Sequence, residues 1–436
     1  MFEFKQRWYF IGIGGVSMSA LAQLLKSRGE DVLGSDMAES HFTRKLVSLG
    51  IPVSIGDNES ITAENVVYTG AIEDNHKQLN AAKEAGKRLI SRAELLGMVA
   101  EEYPHTISVA GCHGKTSTTS MISHIFESGN RAFSCHIGGE DIRFGNYFSS
   151  GGDYFITEAC EFRRSFLSLN SDIAIVLNTD RDHTDCYASE NDLVDAYRTF
   201  ASKAKSVIVN ADDRNARTIP HTLSFGFQSG TIQAENLRSE KEKYAFTVTE
   251  HGIPLERIYL NVVGKYQVAN ALAAFAAARL YGFSPKEIKQ GLEEFQGVKR
   301  RFETVGSICG VPVICDYAHH PREIAASFAC AERLCRGTVR LVFQPHTYTR
   351  TKDLMSEFIS VLKKAENPLI YKTYAAREKF VFEGSAVALV SRVPESSYVQ
   401  SPQDLRTRLE KELNADDMIL VLGAGDIYQI AKSILD

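Results

Sequence analysis

The sequence predicts an α/β protein of three domains with largely parallel sheets. Apolar, strand-like runs alternate with amphipathic helical patterns along the whole chain, as in proteins built from βα units. The chain has 436 residues, whereas one domain commonly holds about 100–200. We place the domains at residues 1–103, 104–297 and 298–436, because Tyr103-Pro104-His105 interrupts the first pattern and Gly297 precedes the last.

Each predicted domain has its own set of apolar runs. In the first, a strand at 8–11, a glycine turn and a helix at 19–28 precede short strands at 32–33 and 66–68. The predicted strands of the second domain are 106–110, 154–157, 173–177 and 206–209, followed by a β-rich insertion at 223–262 and an alanine-rich helix at 270–280. The predicted strands of the third domain are 311–315, 339–343, 369–371 and 418–422.

Composition excludes several classes of protein. Hydrophobic residues make up 44% and charged residues 24%, which is typical of a globular chain and argues against long disordered regions. The net charge of -5 lacks the basic excess of nucleic-acid-binding proteins. No apolar run approaches the roughly 20 residues of a membrane span. The eight cysteines form no CxxC pair, which favours reduced thiols in a cytoplasmic protein. The sequence leaves open whether the protein is a monomer or a homodimer.

A glycine turn follows the first strand. Gly12, Gly14 and Gly15 precede a helix, and such a turn lets the backbone approach a diphosphate at the helix N-terminus. Asp36 ends the next strand, where an acidic side chain often meets a ribose. Ser17 replaces the third glycine of the strict dinucleotide pattern, so the turn predicts a nucleotide site without specifying the nucleotide.

A second glycine-containing loop, residues 111–117, follows the strand at 106–110. Its sequence is GCHGKTS, in which backbone amides would cradle phosphate oxygens and Lys115 would neutralise the β/γ-phosphate region. The hydroxyl of Thr116 is suited to Mg²⁺. Val109 stands where the usual Walker pattern has its outer glycine, but the strand context still predicts a phosphate-binding loop.

Acidic and imidazole side chains follow two further strands of the central domain. Glu158 comes after the strand at 154–157, and His183 lies shortly after the strand at 173–177. Because the carboxyl ends of parallel strands meet at one edge of a sheet, both side chains should face the phosphate loop. Carboxylates together with phosphate oxygens are typical Mg²⁺ ligands, so Glu158 is a metal candidate.

A third cluster lies in the last domain. Arg301 belongs to the segment KRRFE, DYAHHP (316–321) follows the strand at 311–315, and QPHTYTR (344–350) follows the strand at 339–343. Basic and imidazole groups gathered at strand ends are suited to stabilise an anionic transition state.

Together these segments resemble the Mur ligase family. The order GIGG, HGKT, EACE, NxxxDH, GxxxxxNALAA, RRFE, DYAHHP and QPHTYTR matches from about residue 10 to residue 427. The opening GIGGVSMSALA and DYAHHP are most similar to the members that add L-alanine. Tyr266 and Gln267 replace the His-Asn of the family's adenine segment, Cys315 precedes Asp316 where an acid is common, and Thr347 replaces an arginine found in some relatives.

The resemblance implies an N-terminal Rossmann-like UDP-binding domain, a central P-loop-type ATPase domain and a C-terminal Rossmann-like domain that closes over both and helps hold the amino acid. It implies ATP contacts at Gly111, His113, Gly114, Lys115, Thr116, Ser117, Asn270, Arg301, Asp316 and His320. It implies substrate contacts at Gly14, Gly15, Ser35, Asp36, Thr69, Gly70, Arg92, Tyr317, His319, His346 and Arg350. The implied metal site is Thr116, Glu158 and His183, and the implied catalytic residues are Lys115, His183, Arg301, His346 and Arg350.

The implied activity is ATP-dependent ligation with Mg²⁺, in peptidoglycan synthesis and through it in cell shape and division. ATP would convert the carboxylate of UDP-N-acetylmuramate to an acyl phosphate, which the amine of L-alanine would attack. His183 and His346 are both candidates to accept the amine proton.

Three alternatives stay open. The acceptor could be a ready-made peptide, as in a recycling ligase of the same family. A dinucleotide-dependent oxidoreductase would use only the turn at Gly12 and Asp36 and would leave the HGKT loop unexplained. A non-catalytic nucleotide-binding regulator would be expected to lack Lys115, Glu158 or His183, yet all three are present.

Overall fold

The chain forms three successive β-sheets with helices packed on them. The computed structural model describes residues 6–56, 60–72, 75–180, 186–240 and 243–436. The sheets have five, ten and six strands, and each lies within one of the three predicted segments. The prediction of a three-domain α/β protein is therefore confirmed, while the exact boundaries at 103/104 and 297/298 remain a prediction.

The first sheet is entirely parallel. Its strands are β1 (Arg7–Ile11), β2 (Asp31–Asp36), β3 (Val53–Ile55), β4 (Asn65–Tyr68) and β5 (Arg88–Ser91). Its helices are α1 (Val16–Ser27), α2 (His41–Ser48), α3 (Lys77–Glu84) and α4 (Arg92–Glu101). The strand order is β3-β2-β1-β4-β5. Since β1 lies between β2 and β4, the loops that leave β1 and β4 diverge and open a crevice at the carboxyl ends of these strands.

The second sheet is parallel in its centre and antiparallel at both edges. Its strands are β6 (His105–Ala110), β7 (Phe133–Asp141), β8 (Gly145–Ser149), β9 (Tyr154–Glu158), β10 (Ile173–Val176), β11 (Ser206–Asn210), β12 (Leu223–Gly226), β13 (Ile232–Glu240), β14 (Lys243–Glu250) and β15 (Ile253–Leu260). Its helices are α5 (Lys115–Ser128), α6 (Glu190–Ser202), α7 (Lys265–Leu280) and α8 (Pro285–Glu294), with short 3-10 helices at Phe162–Ser168 and Ala216–Thr218. The order is β15-β14-β13-β12-β11-β10-β6-β9-β7-β8, so the predicted β-rich insertion forms one edge.

The third sheet has one antiparallel edge strand, β16. Its strands are β16 (Glu303–Ile308), β17 (Val311–Asp316), β18 (Val339–Phe343), β19 (Leu369–Tyr371), β20 (Ser397–Val399) and β21 (Met418–Leu422), in the order β16-β17-β21-β18-β19-β20. Its helices are α9 (Pro321–Leu334), α10 (Tyr348–Asp353), α11 (Met355–Leu362), α12 (Ala386–Val390), α13 (Pro402–Glu412) and α14 (Ile427–Ser433), with a 3-10 turn at Phe382–Gly384. Separate apolar cores cover its two faces.

The first two domains share a hydrophobic core. Trp8 and Phe10 of β1 belong to the same buried cluster as Phe155 and Tyr197 of the central domain. A polar contact adds to it: the fully buried Asn146 donates to Val16 O and Ser19 Oγ, both at 2.8 Å. Burying such aromatic side chains stabilises a fold by about 1.5–3 kcal/mol each. This shared core holds the N-terminal sheet against the central sheet.

Two helices begin earlier than predicted. Helix α1 starts at Val16 rather than 19, and α7 at Lys265 rather than 270. In both cases a glycine, Gly15 or Gly264, occupies the N-cap, so the glycine turn itself starts the helix. Within the described ranges, no helix combines the length and the apolar character needed to cross a membrane.

Candidate active site

The phosphate loop lies between two strands that carry predicted site residues. β6 leads into the loop, β9 on one side ends at Glu158, and β10 on the other leads to Asn178. Gly114, at φ 86°, is the N-cap of α5. A Cβ at this position would lie 2.4 Å from Asn270 Oδ1, so only glycine fits. The sequence thus brings the loop, the acid and the predicted adenine-contact residue together.

Lys115 is held by a buried carboxylate. Its Nζ donates to Glu161 Oε2 at 2.9 Å and Oε1 at 3.2 Å, and the Glu161 side chain is 1% exposed. Burial alone would lower the pKa of Lys115, but the charge of Glu161 outweighs it and raises the pKa. Lys115 is therefore a permanent cation at the start of α5, close to where a polyphosphate would meet the loop.

His113 connects the central domain to the C-terminal domain. Its amide donates to Asn178 Oδ1 at 2.9 Å, and its Nδ1 donates to Glu323 Oε1 at 2.8 Å. Its Nε2 lies 3.3 Å from Asp180 Oδ2. Burial would lower the pKa of this imidazole, but the two carboxylates raise it to about 9. His113 is therefore protonated near neutral pH and forms a charged contact between domains.

Glu323 accepts hydrogen bonds from two backbone amides at the start of α9. Its Oε2 accepts from the amides of His319 and His320 at 3.0 and 3.2 Å. Although burial opposes ionisation, the nearby His319 and His113 hold the pKa of Glu323 well below its usual range. The predicted ATP residue His320 is the buried N-cap of α9, and its ring lies 5.0 Å from that of His113.

The metal candidates Thr116 and Glu158 lie together. The Thr116 hydroxyl hydrogen-bonds the Glu158 carboxylate, and the Gly138 amide donates to Glu158 Oε1 at 2.6 Å. Burial raises the pKa of Glu158, and the charge of Lys115 opposes the rise. His183 lies outside the described residues. Within those residues, no cluster of three His, Cys, Asp or Glu side chains could hold a metal by itself.

A cavity of about 330 Å³ lies between the phosphate loop and the C-terminal domain. It is lined by His113, Gly114, Ser117, Asn178, Phe225, Phe227, Tyr266, Asn270, Arg301 and Asp316, among others. The lining therefore combines aromatic rings and the Asn270 amide with the charged side chains of Arg301 and Asp316. This combination of apolar surface with a few polar groups is typical of a nucleotide-sized ligand site.

Two side chains that depart from the family pattern shape this cavity. Gln267 Oε1 accepts from Asn270 Nδ2 at 3.1 Å, which orients the Asn270 amide. Tyr266 is half-buried and lies near Asp316, and desolvation of its hydroxyl raises the pKa of that group well above the usual value. Burial also raises the pKa of Asp316 to about 6, although Arg301 counteracts it. Asp316 accepts from the amides of Phe302 and Ala318 at 2.9 and 2.8 Å.

The predicted acceptor residues lie at the carboxyl ends of β17 and β18. Arg350 Nη1 donates to His346 Nδ1 at 3.2 Å, and the rings of His346 and His319 are 5.8 Å apart. The guanidinium carbons of Arg300 and Arg301 lie 4.7 and 4.9 Å from the centre of the Tyr317 ring. These side chains form a cationic and aromatic group suited to a carboxylate ligand.

The predicted UDP residues surround the crevice between β1 and β4. Asp36 Oδ2 accepts from the Gly14 amide at 2.8 Å, so this carboxylate shapes the glycine turn. Gly15 forms the N-cap of α1, and Arg92 Nη1 donates to Ser17 Oγ at 3.3 Å. The Ser35 hydroxyl is buried and donates to Gln78 Oε1, which favours a structural role for that side chain. Thr69 and Gly70 follow β4 on the other side of the crevice.

Sequence reasoning missed two contributors to the site, Glu323 and Arg322, and it gave no role to Glu161 although that residue belongs to the EACE segment. Arg322 forms an ion pair with Asp180 across the same domain boundary as Glu323. A local signal existed for Glu323, because His320 followed three positions later by Glu has the spacing of a capping box. No local pattern identifies Glu161 as the partner of Lys115.

Three family models match successive parts of the chain and together cover nearly all of it. Residues 7–104 match the Mur ligase family catalytic domain, 109–278 the Mur ligase middle domain, and 300–425 the Mur ligase glutamate ligase domain. The chain belongs to the Mur ligase family. The resemblance inferred from the motifs is confirmed, and the oxidoreductase and regulator alternatives lose their basis.

Individual relatives of this Mur ligase cover its full length. The chain is 38% identical to a UDP-N-acetylmuramate–L-alanine ligase of Caldicellulosiruptor bescii, over 98% of each chain. It is 36% identical to the enzyme of the same name from Clostridium novyi, over 99% of this chain and 98% of the relative.

Solved structures share the fold. The UDP-N-acetylmuramate-alanine ligase of Thermotoga maritima superposes with a TM-score of 0.85, at 25% identity over 98% of each chain. A murein peptide ligase of Psychrobacter arcticus gives 0.76 at 22% identity, over 98% of each chain. A MurF ligase of Thermotoga maritima, solved in complex with ADP, gives 0.62 at 13% identity over 92% of each chain. The last two likenesses concern the fold alone.

Proposed function

We propose that this Mur ligase joins L-alanine to the carboxylate of UDP-N-acetylmuramate and converts ATP to ADP and phosphate. The observation that carries the proposal is the 36–38% identity, over nearly the full length of both chains, to enzymes named UDP-N-acetylmuramate–L-alanine ligase. The product, UDP-N-acetylmuramoyl-L-alanine, places the reaction in peptidoglycan synthesis.

The reaction requires activation of a poor electrophile. A muramyl carboxylate oxygen attacks the γ-phosphorus of ATP, and ADP leaves with the electrons of the β–γ bridging bond. The alanine nitrogen then attacks the acyl carbon, a proton leaves the amine, and phosphate departs. Both steps move negative charge among oxygen atoms, so fixed cations and backbone amides stabilise the transition states.

We assign charge neutralisation to Lys115 and Arg301. Lys115 opens α5 directly after the loop amides, and Arg301 lines the cavity next to the loop. Although burial lowers it, nearby Glu323 and Asp316 raise the pKa of Arg301, so both cations keep their charge. Asn270 and the aromatic rings of Phe225 and Phe227 fit the adenine.

We assign Mg²⁺ to Thr116 and Glu158, with His183 as a third candidate. A hydroxyl and a carboxylate that already share a hydrogen bond are oxygen donors of the type Mg²⁺ prefers. When bound, the ion would neutralise charge on the transferring phosphoryl group.

The amine of L-alanine must lose a proton. The hydrogen bonds of His346 and His319, the histidines near the carboxyl ends of β18 and β17, decide which ring nitrogen of each could accept it. Because Arg350 donates to His346 Nδ1, the neutral His346 ring carries its proton on Nε2 and accepts another only by breaking that contact. The neutral form of His319 has the opposite arrangement, since its Nδ1 donates to Tyr317 O at 3.0 Å and its Nε2 is the acceptor nitrogen. Glu323 Oε2, 3.2 Å from Nδ1, would stabilise the ring once it has taken the proton. We therefore add His319 to His183 and His346 as candidate bases.

Phosphate release tests the function directly. Purified protein with ATP, Mg²⁺ and UDP-N-acetylmuramate should release phosphate continuously only when L-alanine is added, and mass spectrometry should detect the ligated product. Lys115→Ala should reduce release by more than about 10³-fold, because a preorganised charge is lost at the transferring group. Lys203→Ala, at the exposed C-cap of α6, is the matched control and should retain activity.

Other outcomes contradict the proposal in different ways. Release with a tripeptide but not with L-alanine would make the protein a recycling ligase of the same family. No release with either acceptor, while ATP and UDP-N-acetylmuramate bind, would refute ligation as the activity.

A further inference from the structure

A short segment of the C-terminal domain, residues 374–378, runs alongside the acceptor residues. The Tyr374 amide donates to Pro345 O at 2.9 Å, and the Thr347 amide donates to Tyr374 O at 2.9 Å. The Tyr374 ring stacks on His346 with ring centroids 5.4 Å apart. This segment therefore sets the path of the chain that carries His346.

The end of the same segment fixes helix α10. Glu378 Oε2 accepts from the amides of Tyr348 and Thr349 at 2.5 and 2.9 Å, which caps the helix that carries Arg350. A carboxylate at a helix N-terminus also interacts favourably with the helix dipole. Displacement of Glu378 would consequently move Arg350 as well as His346.

Arg377 connects this segment to the other two domains. Its Nη1 donates to Gly70 O at 3.2 Å, and its guanidinium carbon lies 5.0 Å from the centre of the Phe162 ring. Gly70 follows β4 in the N-terminal domain, and Phe162 belongs to the central domain. Ala376 has a φ of 51°, in the left-handed region that alanine rarely adopts, at the turn immediately before Arg377.

The contact at Gly70 reaches the predicted UDP crevice. The neighbouring Thr69 packs so closely under the glycine turn that a Cβ on Gly12 would lie 2.6 Å from Thr69 Cγ2. A ligand that shifts or orders the glycine turn therefore also shifts or orders the end of β4, where Arg377 donates to Gly70 O. From Gly12 the contacts run through Thr69, Gly70 and Arg377 to the acceptor segment.

We propose that Arg377 is a positioning residue that couples binding of the UDP-linked substrate to the acceptor pocket. This inference rests on the proposed function and concerns the same reaction. The UDP substrate orders the turn at Gly70. Through its hydrogen bond to Gly70 O, Arg377 then fixes the position of residues 374–378. Within that segment, Glu378 and Tyr374 hold Arg350 and His346 in place.

Steady-state kinetics of Arg377→Ala test the coupling. We expect kcat/KM for L-alanine to fall about tenfold, equivalent to about 1.4 kcal/mol, mainly through a higher KM. The KM for ATP should stay within about twofold, since Arg377 does not line the nucleotide cavity. Arg377→Lys should recover most of the loss, because an ammonium can donate to Gly70 O and lie over the Phe162 ring.

Lys379→Ala is the matched control, because Lys379 is equally exposed, of like charge and only two positions away. It should leave all three KM values unchanged. An Arg377→Ala enzyme with the wild-type KM for L-alanine would overturn the proposal, as would an equal loss in Lys379→Ala. A general folding defect would instead lower kcat with all three KM values unchanged and shift the urea midpoint, and this result would also overturn the proposal.

Hydrogen–deuterium exchange separates this inference from the proposed function. UDP-N-acetylmuramate should slow exchange of the Tyr348 and Thr349 amides in the wild type but not in Arg377→Ala. If UDP-N-acetylmuramate binds and no acceptor is ligated, the proposed function fails while the exchange result still decides about Arg377. Equal protection in wild type and variant would refute the coupling whatever the activity.

Discussion

Replacing Glu323 by Gln removes the carboxylate that pairs with His113 across the boundary between the central and C-terminal domains. The pair holds the pKa of His113 at about 9, against an ordinary value of 6.5. A raised histidine pKa stabilises the fold fully below the ordinary value, and this contribution disappears as pH rises through about 9. The shift corresponds to about 2.5 kcal/mol at about pH 7 and to almost nothing at about pH 10.

Asp180 shares the interaction, so Glu323→Gln should lose about 1–2.5 kcal/mol of unfolding free energy at about pH 7. Urea unfolding of wild type and variant at about pH 7 and pH 10 measures the difference, and the two curves should converge at the higher pH. NMR of labelled histidine should show the titration of His113 moving toward lower pH. Glu332→Gln, on the exposed side of α9, is the control. A stability loss independent of pH, or a His113 that titrates near 6.5 in the wild type, would refute the reasoning.

Three further predictions follow from buried contacts. Asn146→Ala removes hydrogen bonds to Val16 and Ser19 and should cost about 2–4 kcal/mol in urea unfolding; a loss below about 1 kcal/mol would contradict the interface described. Gly114→Ala places a Cβ 2.4 Å from an oxygen at φ 86°, so calorimetry should find ATP affinity reduced more than about tenfold, and unchanged affinity would exclude the loop as the nucleotide site. Because burial raises the pKa of Asp316 to about 6, the KM for ATP should change as pH falls through that value in the wild type and stay flat in Asp316→Asn; parallel profiles would remove Asp316 from the site.

The sequence identified the central strands because their signals are local. β10 is a continuous apolar run, and β6 alternates apolar residues with small polar ones; both end at glycine or polar turns, and both lie within one residue of the prediction. The strands that escaped prediction are short or irregular: β3 and β20 have three residues each. β7 contains His136 and two glycines, which interrupt its apolar pattern even though the strand is largely buried.

The sequence identified site residues that belong to motifs, but it could not identify contacts between residues that are far apart in the chain. Lys115, Thr116 and Glu158 stand at strand ends, so the topology of a parallel sheet alone brings them together. His113 and Glu323 are 210 positions apart, and only the docking of two domains makes them partners. Ser35 shows a different limit of motif-based prediction. Its motif position predicted a substrate contact, but its side chain is buried in the core.

The pairing of Lys115 with Glu161 has a consequence for selectivity among anions. Glu161 is almost completely buried and compensates the lysine charge within 3 Å, so the loop presents little excess positive potential. The loop amides, rather than net positive charge, would then contribute most to the recognition of an anion, and several phosphates held by several amides bind better than one. We therefore expect sulfate and inorganic phosphate to compete only weakly with a nucleoside triphosphate at this loop.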